Sequence, residues 1–160
     1  MFAPAPNPMQ KIAWTLLLIC LTTVSASLAA APTGYSINAD SPSGNADSLY
    51  RIDLATGAET RVATVKSLGQ TRLDTEGLAF APDGTLYGMD DDALTLFALN
   101  PDNAVVQSGS EFLIQGLPIG GGNDFGMTFA CDGSLYVTSS ATGSLYRMDL
   151  QGKATLIGAA

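Results

Sequence analysis

Beyond residue 34 the chain alternates short apolar runs with turn-forming clusters, and no stretch there carries a sustained helical period. The middle of the chain shows the pattern most fully. Leu78 and Phe80 alternate ahead of Pro82-Asp83-Gly84, a tight turn in which Pro sets the first φ and Gly takes the positive one. Leu86-Tyr87-Gly88-Met89 reads as a second strand, and Asp90-Asp91-Asp92-Ala93 breaks it. Residues 94–99 read as a third strand with Leu94 and Leu96 on one face. Asn100-Pro101-Asp102-Asn103 turns the chain again, and Ala104-Val105-Val106 opens a fourth strand. The pattern predicts an all-β chain built from units of four short antiparallel strands.

The unit recurs. Gly77-Leu78-Ala79-Phe80-Ala81-Pro82-Asp83-Gly84-Thr85-Leu86-Tyr87 is identical at seven of eleven positions to Gly126-Met127-Thr128-Phe129-Ala130-Cys131-Asp132-Gly133-Ser134-Leu135-Tyr136, at an offset of 49 residues. Ser48-Leu49-Tyr50-Arg51-Ile52-Asp53-Leu54 returns as Ser144-Leu145-Tyr146-Arg147-Met148-Asp149-Leu150, six of seven identical at an offset of 96, with Thr95-Leu96-Phe97-Ala98-Leu99-Asn100-Pro101 as a divergent copy between them. Repeats of this length made of four strands are the pattern of β-propeller blades. With strands a to d running from the axis outward, blade 1 covers about 35–65 and lacks strand a, blade 2 covers about 77–109 and blade 3 about 126–158. That is an incomplete propeller of about 2.75 blades, where a ring needs about four to eight. The expectation is a truncated or split propeller. Association of copies and an open stack of sheets are the alternatives, and an open stack leaves an apolar blade face and unpaired edges exposed, an association hazard.

These motifs resemble bacterial propellers of the NHL and SMP-30/gluconolactonase type, and Leu135-Tyr136-Val137-Thr138 is similar to the YVTN repeats of cell-surface propellers. The resemblance covers residues 35–158 and implies a propeller fold. It also implies, for the SMP-30-like branch, a metal-bearing acid near the start of a strand a, a position that Glu76-Gly77 is similar to. The family's Pro after that Gly is Leu78 here.

The N-terminus has a different character. Lys11 is followed by an apolar run over 12–24 and then by the small residues Ser25, Ala26, Ser27 and Ala29-Ala30-Ala31. That is the order of a secretory signal, with cleavage expected after Ala29 or Ala30 and translation expected to start at Met9 rather than Met1. The domain reading is therefore a signal peptide over 1–29 and a repeat domain over 30–160, exported to the periplasm or medium. The alternative is an uncleaved membrane anchor, since residues 12–31 carry no charge. Cys20 leaves with the signal, so Cys131 is the one cysteine of the mature chain, and its flanks favour a buried position or a strand–turn edge over reactivity.

Charge narrows the chemistry. Lys+Arg number 7 against Asp+Glu 15, a net charge of -8, which repels phosphate backbones and argues against nucleic acid as a partner. The absence of His removes Ser-His-Asp and Cys-His catalysis and the usual zinc ligands. In a propeller the d-to-a connections and b-to-c loops share one rim. Mapping them there gathers Thr75-Glu76-Gly77, Asn123-Asp124-Phe125-Gly126, Asn38-Ala39-Asp40 and Asp90-Asp91-Asp92. Glu76, Asp90 and Asp124 are thus the candidate ligands of a hard cation, Ca²⁺ or Mg²⁺. The competing reading makes these acids solvated turn residues. Asp83 and Asp132 read as turn residues on the opposite rim, and Tyr50, Tyr87, Tyr136 and Tyr146 as interblade packing. Residues 109–123 link blades 2 and 3, with an apolar piece that can finish strand d and a Gly-rich loop at Gly120-Gly121-Gly122.

The sequence points to an exported propeller-type binding or interaction module with no identifiable catalytic constellation. Its ligand is a small molecule or a protein. A metal-dependent, lactonase-like hydrolase using the acidic rim is the alternative, and a propeller fragment without independent activity is the third reading.

Overall fold

A computed structural model describes residues 31–38, 46–71, 74–118 and 124–159. The signal segment, Asp40 and Gly120-Gly121-Gly122 lie outside the described residues. The folded unit spans Ala31–Ala160. Its first sheet has three strands, β1 (Thr33–Asn38), β2 (Ser48–Asp53) and β3 (Glu59–Thr64), in that order. A small hairpin of β4 (Lys66–Ser67) and β5 (Gln70–Thr71) follows. The second sheet is a four-stranded meander of β6 (Thr75–Phe80), β7 (Leu86–Asp90), β8 (Thr95–Leu99) and β9 (Phe112–Leu113). The third repeats it with β10 (Phe125–Phe129), β11 (Leu135–Ser139), β12 (Ser144–Met148) and β13 (Ala154–Ala159). Every named pairing is antiparallel. Among the described residues no helix is long and apolar enough to cross a membrane.

Alternation within each strand builds two cores, one on each side of the second sheet. Leu86 pairs with Leu99 and Gly88 with Phe97, and Leu86, Phe97 and Leu99 face the first sheet, where they meet Leu49 and Val65. Met89 pairs with Leu96, and both face the third sheet, packing with Phe125, Leu135, Val137, Tyr146 and Met148. Strand β8 is consequently buried along its whole length, which is why Thr95-Leu96-Phe97-Ala98-Leu99 shows no polar alternation. An aromatic pair joins each sheet to the next. Tyr35 meets Phe80 with ring centroids 5.5 Å apart, and Tyr87 meets Phe129 at 5.4 Å, both in tilted or edge geometries that aromatic rings favour.

The structure departs from the sequence reading at two places in the second sheet. Leu94 does not open β8: it lies in the preceding turn with φ 48°. The outer strand is split. Val106 makes an isolated bridge to Leu99, and the regular pairing resumes only at Phe112 and Leu113, opposite Leu96 and Thr95. Between them the loop satisfies the β8 backbone directly. Gln107 N donates to Ala98 O at 2.8 Å, and Ala98 N donates to the Ser110 hydroxyl at 3.1 Å, so no ladder group is orphaned there. Cys131 is exposed in the turn after β10, so of the two positions its flanks favour it takes the strand–turn edge.

Candidate acidic rim

The d-to-a connections and b-to-c loops do meet on one rim. At the second sheet Asp74, which precedes β6, and Asp91, which follows β7, are bridged by a backbone hydrogen bond from Asp91 N to Asp74 O at 3.4 Å. The third sheet repeats the contact, with Ser140 N donating to Asp124 O at 3.0 Å. There Asp124 N also donates to the Ser140 hydroxyl at 2.9 Å. Asp124 thus occupies the place of Asp74, and Ser140 that of Asp91.

The carboxylates that converge are Asp74, Asp91 and Asp92, with one oxygen from each lying within 4.8 Å of the others. Two oxygens on opposite sides of a calcium ion at about 2.4 Å each stand about 4.8 Å apart, so the spacing suits a hard cation. Burial is the main influence on Asp91 and raises its carboxyl above the ordinary 3.8; a hydrogen bond with Asp74 opposes this, and the charge of Asp92 adds to it. Asp91 Oδ1 is sealed from solvent with no N–H donor on it. Ionised together, the three carboxylates repel one another, a repulsion that a proton or a cation among them would relieve.

The three acids singled out in the sequence take separate positions. Asp90 is 3% exposed and its Oδ1 accepts a hydrogen bond from Ala93 N at 2.7 Å, shaping the turn that carries Asp91 and Asp92. Glu76 reaches the neighbouring sheet, where Oε2 accepts from Phe125 N at 2.8 Å. Asp124 is exposed at the rim of the third sheet. The reason is local. Thr75 pairs with Asp90 and Gly77 with Met89, so Glu76 is an extra residue in a β-bulge, and a bulge re-aims side chains. It hands the rim position to Asp74, one repeat of 50 rather than 49 residues before Asp124. A similar bond ties the first two sheets, with the fully buried Asp47 accepting from Thr75 N through Oδ2 at 2.6 Å.

On the opposite rim Asp83 and Asp132 cap their turns by accepting from Thr85 N and Ser134 N, both at 2.9 Å. Those backbone bonds hold both carboxyls below 3.8. Of the recurring tyrosines, Tyr87 and Tyr146 pack between the second and third sheets, while Tyr50 and Tyr136 lie half-buried in the first and third sheets.

The comparisons with known proteins agree with this architecture. A protein from Bacteroides thetaiotaomicron, described as a structural genomics protein of unknown function, superposes with a TM-score of 0.56 at 18% identity, over 76% of this chain and 29% of that one. A putative gluconolactonase superposes at 0.54 and 17% identity, over 83% of this chain and 46% of its own. A gluconolactonase from Xanthomonas campestris does so at 0.50 and 20%, over 80% and 43%. At these identities the likeness is one of fold, and the chain spans less than half the length of each of the three. No curated protein sequence matches. Residues 23–158 match the family described as Repeat of unknown function (DUF6923), and the chain belongs to that family.

Proposed function

We propose that this chain is an exported, propeller-type binding module whose acidic rim holds a hard divalent cation between Asp74, Asp91 and Asp92. The observation that carries the reading is the convergence of three carboxylates from two separate segments within 4.8 Å. Like charges that close repel unless a proton or cation sits among them, and an all-oxygen donor set selects Ca²⁺ or Mg²⁺ over softer metals. Asp90 serves the site indirectly through the turn it caps, and Asp124 stands at the corresponding rim of the next sheet. A bound ion gives the rim a fixed positive centre against which an anionic or carbonyl group of a small molecule or protein docks. Export rests on the charged, apolar and small-residue order of the N-terminal segment.

Thermal melting during titration with CaCl₂ and MgCl₂ tests the cation site. A site filled at about 100 times its Kd stabilises by about 2.7 kcal/mol, and Asp91→Asn is expected to abolish that shift. A melting temperature indifferent to millimolar metal rejects the reading. The second reading, metal-dependent lactone hydrolysis, is favoured by the likeness to two gluconolactonases. It requires lactone opening that calcium supports and a chelator stops; binding of metal without turnover leaves the binding module.

A further inference from the structure

Three consecutive residues, Asp74, Thr75 and Glu76, each serve a different sheet. Asp74 brings its carboxylate to Asp91 and Asp92 on the rim of the second sheet. Thr75 donates its N–H to Asp47 Oδ2, just ahead of β2 in the first sheet, at 2.6 Å. Glu76 Oε2 accepts the Phe125 N–H of the third sheet at 2.8 Å. Asp47, Thr75 and Phe125 are all buried, so neither bond is readily replaced by water, and opening either one leaves a buried polar group unsatisfied. The tie of the second sheet to the first and its tie to the third thus both pass through residues next to the candidate ligand Asp74.

The third sheet shows the same rim built without the acids. There Ser140 and Ala141 stand where the second sheet has Asp91 and Asp92. Ser140 N donates to Asp124 O at 3.0 Å, and the Ser140 hydroxyl accepts the Asp124 N–H at 2.9 Å. Those two bonds join the segments on either side of the rim outright. In the second sheet the corresponding bond from Asp91 N to Asp74 O is 3.4 Å long, outside the usual N–H···O range of about 2.7–3.2 Å. Asp91 Oδ1 is sealed from solvent with no hydrogen-bond partner. The second sheet has therefore exchanged a hydroxyl closure for one whose carboxylates repel when ionised, and a cation among them supplies the tie.

We infer that the rim cation regulates how firmly the three sheets are coupled: held by Asp74, Asp91 and Asp92, it pins the segment that carries Thr75 and Glu76 and so locks both sheet junctions. The inference rests on the proposed cation site and makes its ion a switch of inter-sheet coupling. Opening either junction moves Thr75 or Glu76, and Asp74 with them. An ion that binds the closed rim alone is linked to both openings by mass action, and each junction is linked back to the ion's affinity.

Two measurements on the full chain test this. Calorimetric titration with CaCl₂ reads the site itself, and no binding overturns the site and the coupling together. Hydrogen exchange followed by NMR reads the junctions. With calcium at about 100 times its Kd, an amide whose opening releases the ion slows by up to about 100-fold. The Thr75 and Phe125 amides are expected to slow about tenfold more than the interior amides of β11 and β12. Calcium bound without slowing at Thr75 and Phe125 overturns the coupling and leaves the site. Equal slowing everywhere is general stabilisation of the fold and also overturns the coupling. The reciprocal arm compares Glu76→Ala with Glu76→Gln. Removing the acceptor is expected to weaken calcium binding about tenfold, while glutamine, which keeps an acceptor oxygen and lacks the charge, holds the native affinity. Equal weakening in both variants assigns the effect to lost charge and overturns the link between the junction and the ion.

Discussion

Gly88 and Gly77 offer a paired test of how tightly the sheets are stacked. Neither has a positive φ, so alanine is compatible with the backbone at both. At Gly88 an added Cβ would stand 2.6 Å from Phe97 Cε2 and 2.8 Å from Cζ. Phe97 is fully buried between the first two sheets, and its ring has no flexible end to retract. Overpacking of that kind costs about 1–3 kcal/mol. The loss of unfolded-chain entropy returns about 0.4–1 kcal/mol. The net expectation for Gly88→Ala is a loss of about 1–2 kcal/mol, or roughly 4–8 °C in Tm at this domain size. At Gly77 the Cβ would meet Met127 Cγ at 2.8 Å and Sδ at 2.9 Å. Met127 is half-buried, unbranched and able to swing aside, so Gly77→Ala is expected to stay within about 0.5 kcal/mol of the native chain. Denaturant and thermal melts of both variants measure the difference. Adding Phe97→Leu to Gly88→Ala closes a double-mutant cycle in which the combined loss is smaller than the separate losses added together. Equal stability of the two alanine variants, or strict additivity in the cycle, refutes the claim that the Phe97 ring lies against Gly88.

Three further outcomes follow from the site residues. Glu76→Ala removes the acceptor of the 4%-exposed Phe125 N–H and is expected to cost about 1–3 kcal/mol in urea melts, while Glu76→Gln, which keeps an acceptor oxygen, costs less. Burial raises the Asp91 carboxyl above 3.8, so just above that value the folded protein holds more protons than the unfolded chain. Metal-free stability should therefore fall as pH rises through the raised value, and Asp91→Asn should flatten that decline; calcium should reverse the ranking near neutrality. Asp83 and Asp132 behave in the opposite sense: their carboxyls lie below 3.8 through the bonds from Thr85 N and Ser134 N. An NMR titration should find both titrating below 3.8, with any stability they give lost as pH falls through those lowered values.

Much of the fold is legible because strand, turn and repeat signals agree. Pro82-Asp83-Gly84 and Cys131-Asp132-Gly133 mark equivalent turns, and Leu86-Tyr87 and Leu135-Tyr136 open equivalent strands. Agreement of local turn chemistry with a long-range repeat is what a consistent sequence supplies. The misreadings sit where one residue escapes the repeat. Leu94 looks like the apolar start of β8 but takes a left-handed turn, since an apolar residue beside a strand is indistinguishable from the strand's own first residue by periodicity. The outer strand of the second sheet breaks because the Ser110 hydroxyl accepts the β8 amide that a regular strand would bond, a substitution that no spacing rule encodes.

The acidic rim turns on the same kind of detail. An alignment on Gly77 and Gly126 makes Glu76 the obvious partner of Asp90, yet Glu76 is an extra residue in a bulge between Thr75, opposite Asp90, and Gly77, opposite Met89. Strand register has a period of two, so a single extra residue sends one side chain across to the next sheet and brings its neighbour onto the rim. The bulge does two jobs at once. It frees Glu76 to clamp Phe125 N and so joins the second sheet to the third. It also leaves Asp74 beside Asp91 and Asp92, where three carboxylates meet. Deleting Glu76 should therefore be far more damaging than replacing it by glutamine, because deletion removes the clamp and shifts Asp74 out of the cluster together. Losing calcium-dependent stabilisation in the deletion while retaining it in Glu76→Gln is the expected separation, and equal calcium responses would break the link between the bulge and the site.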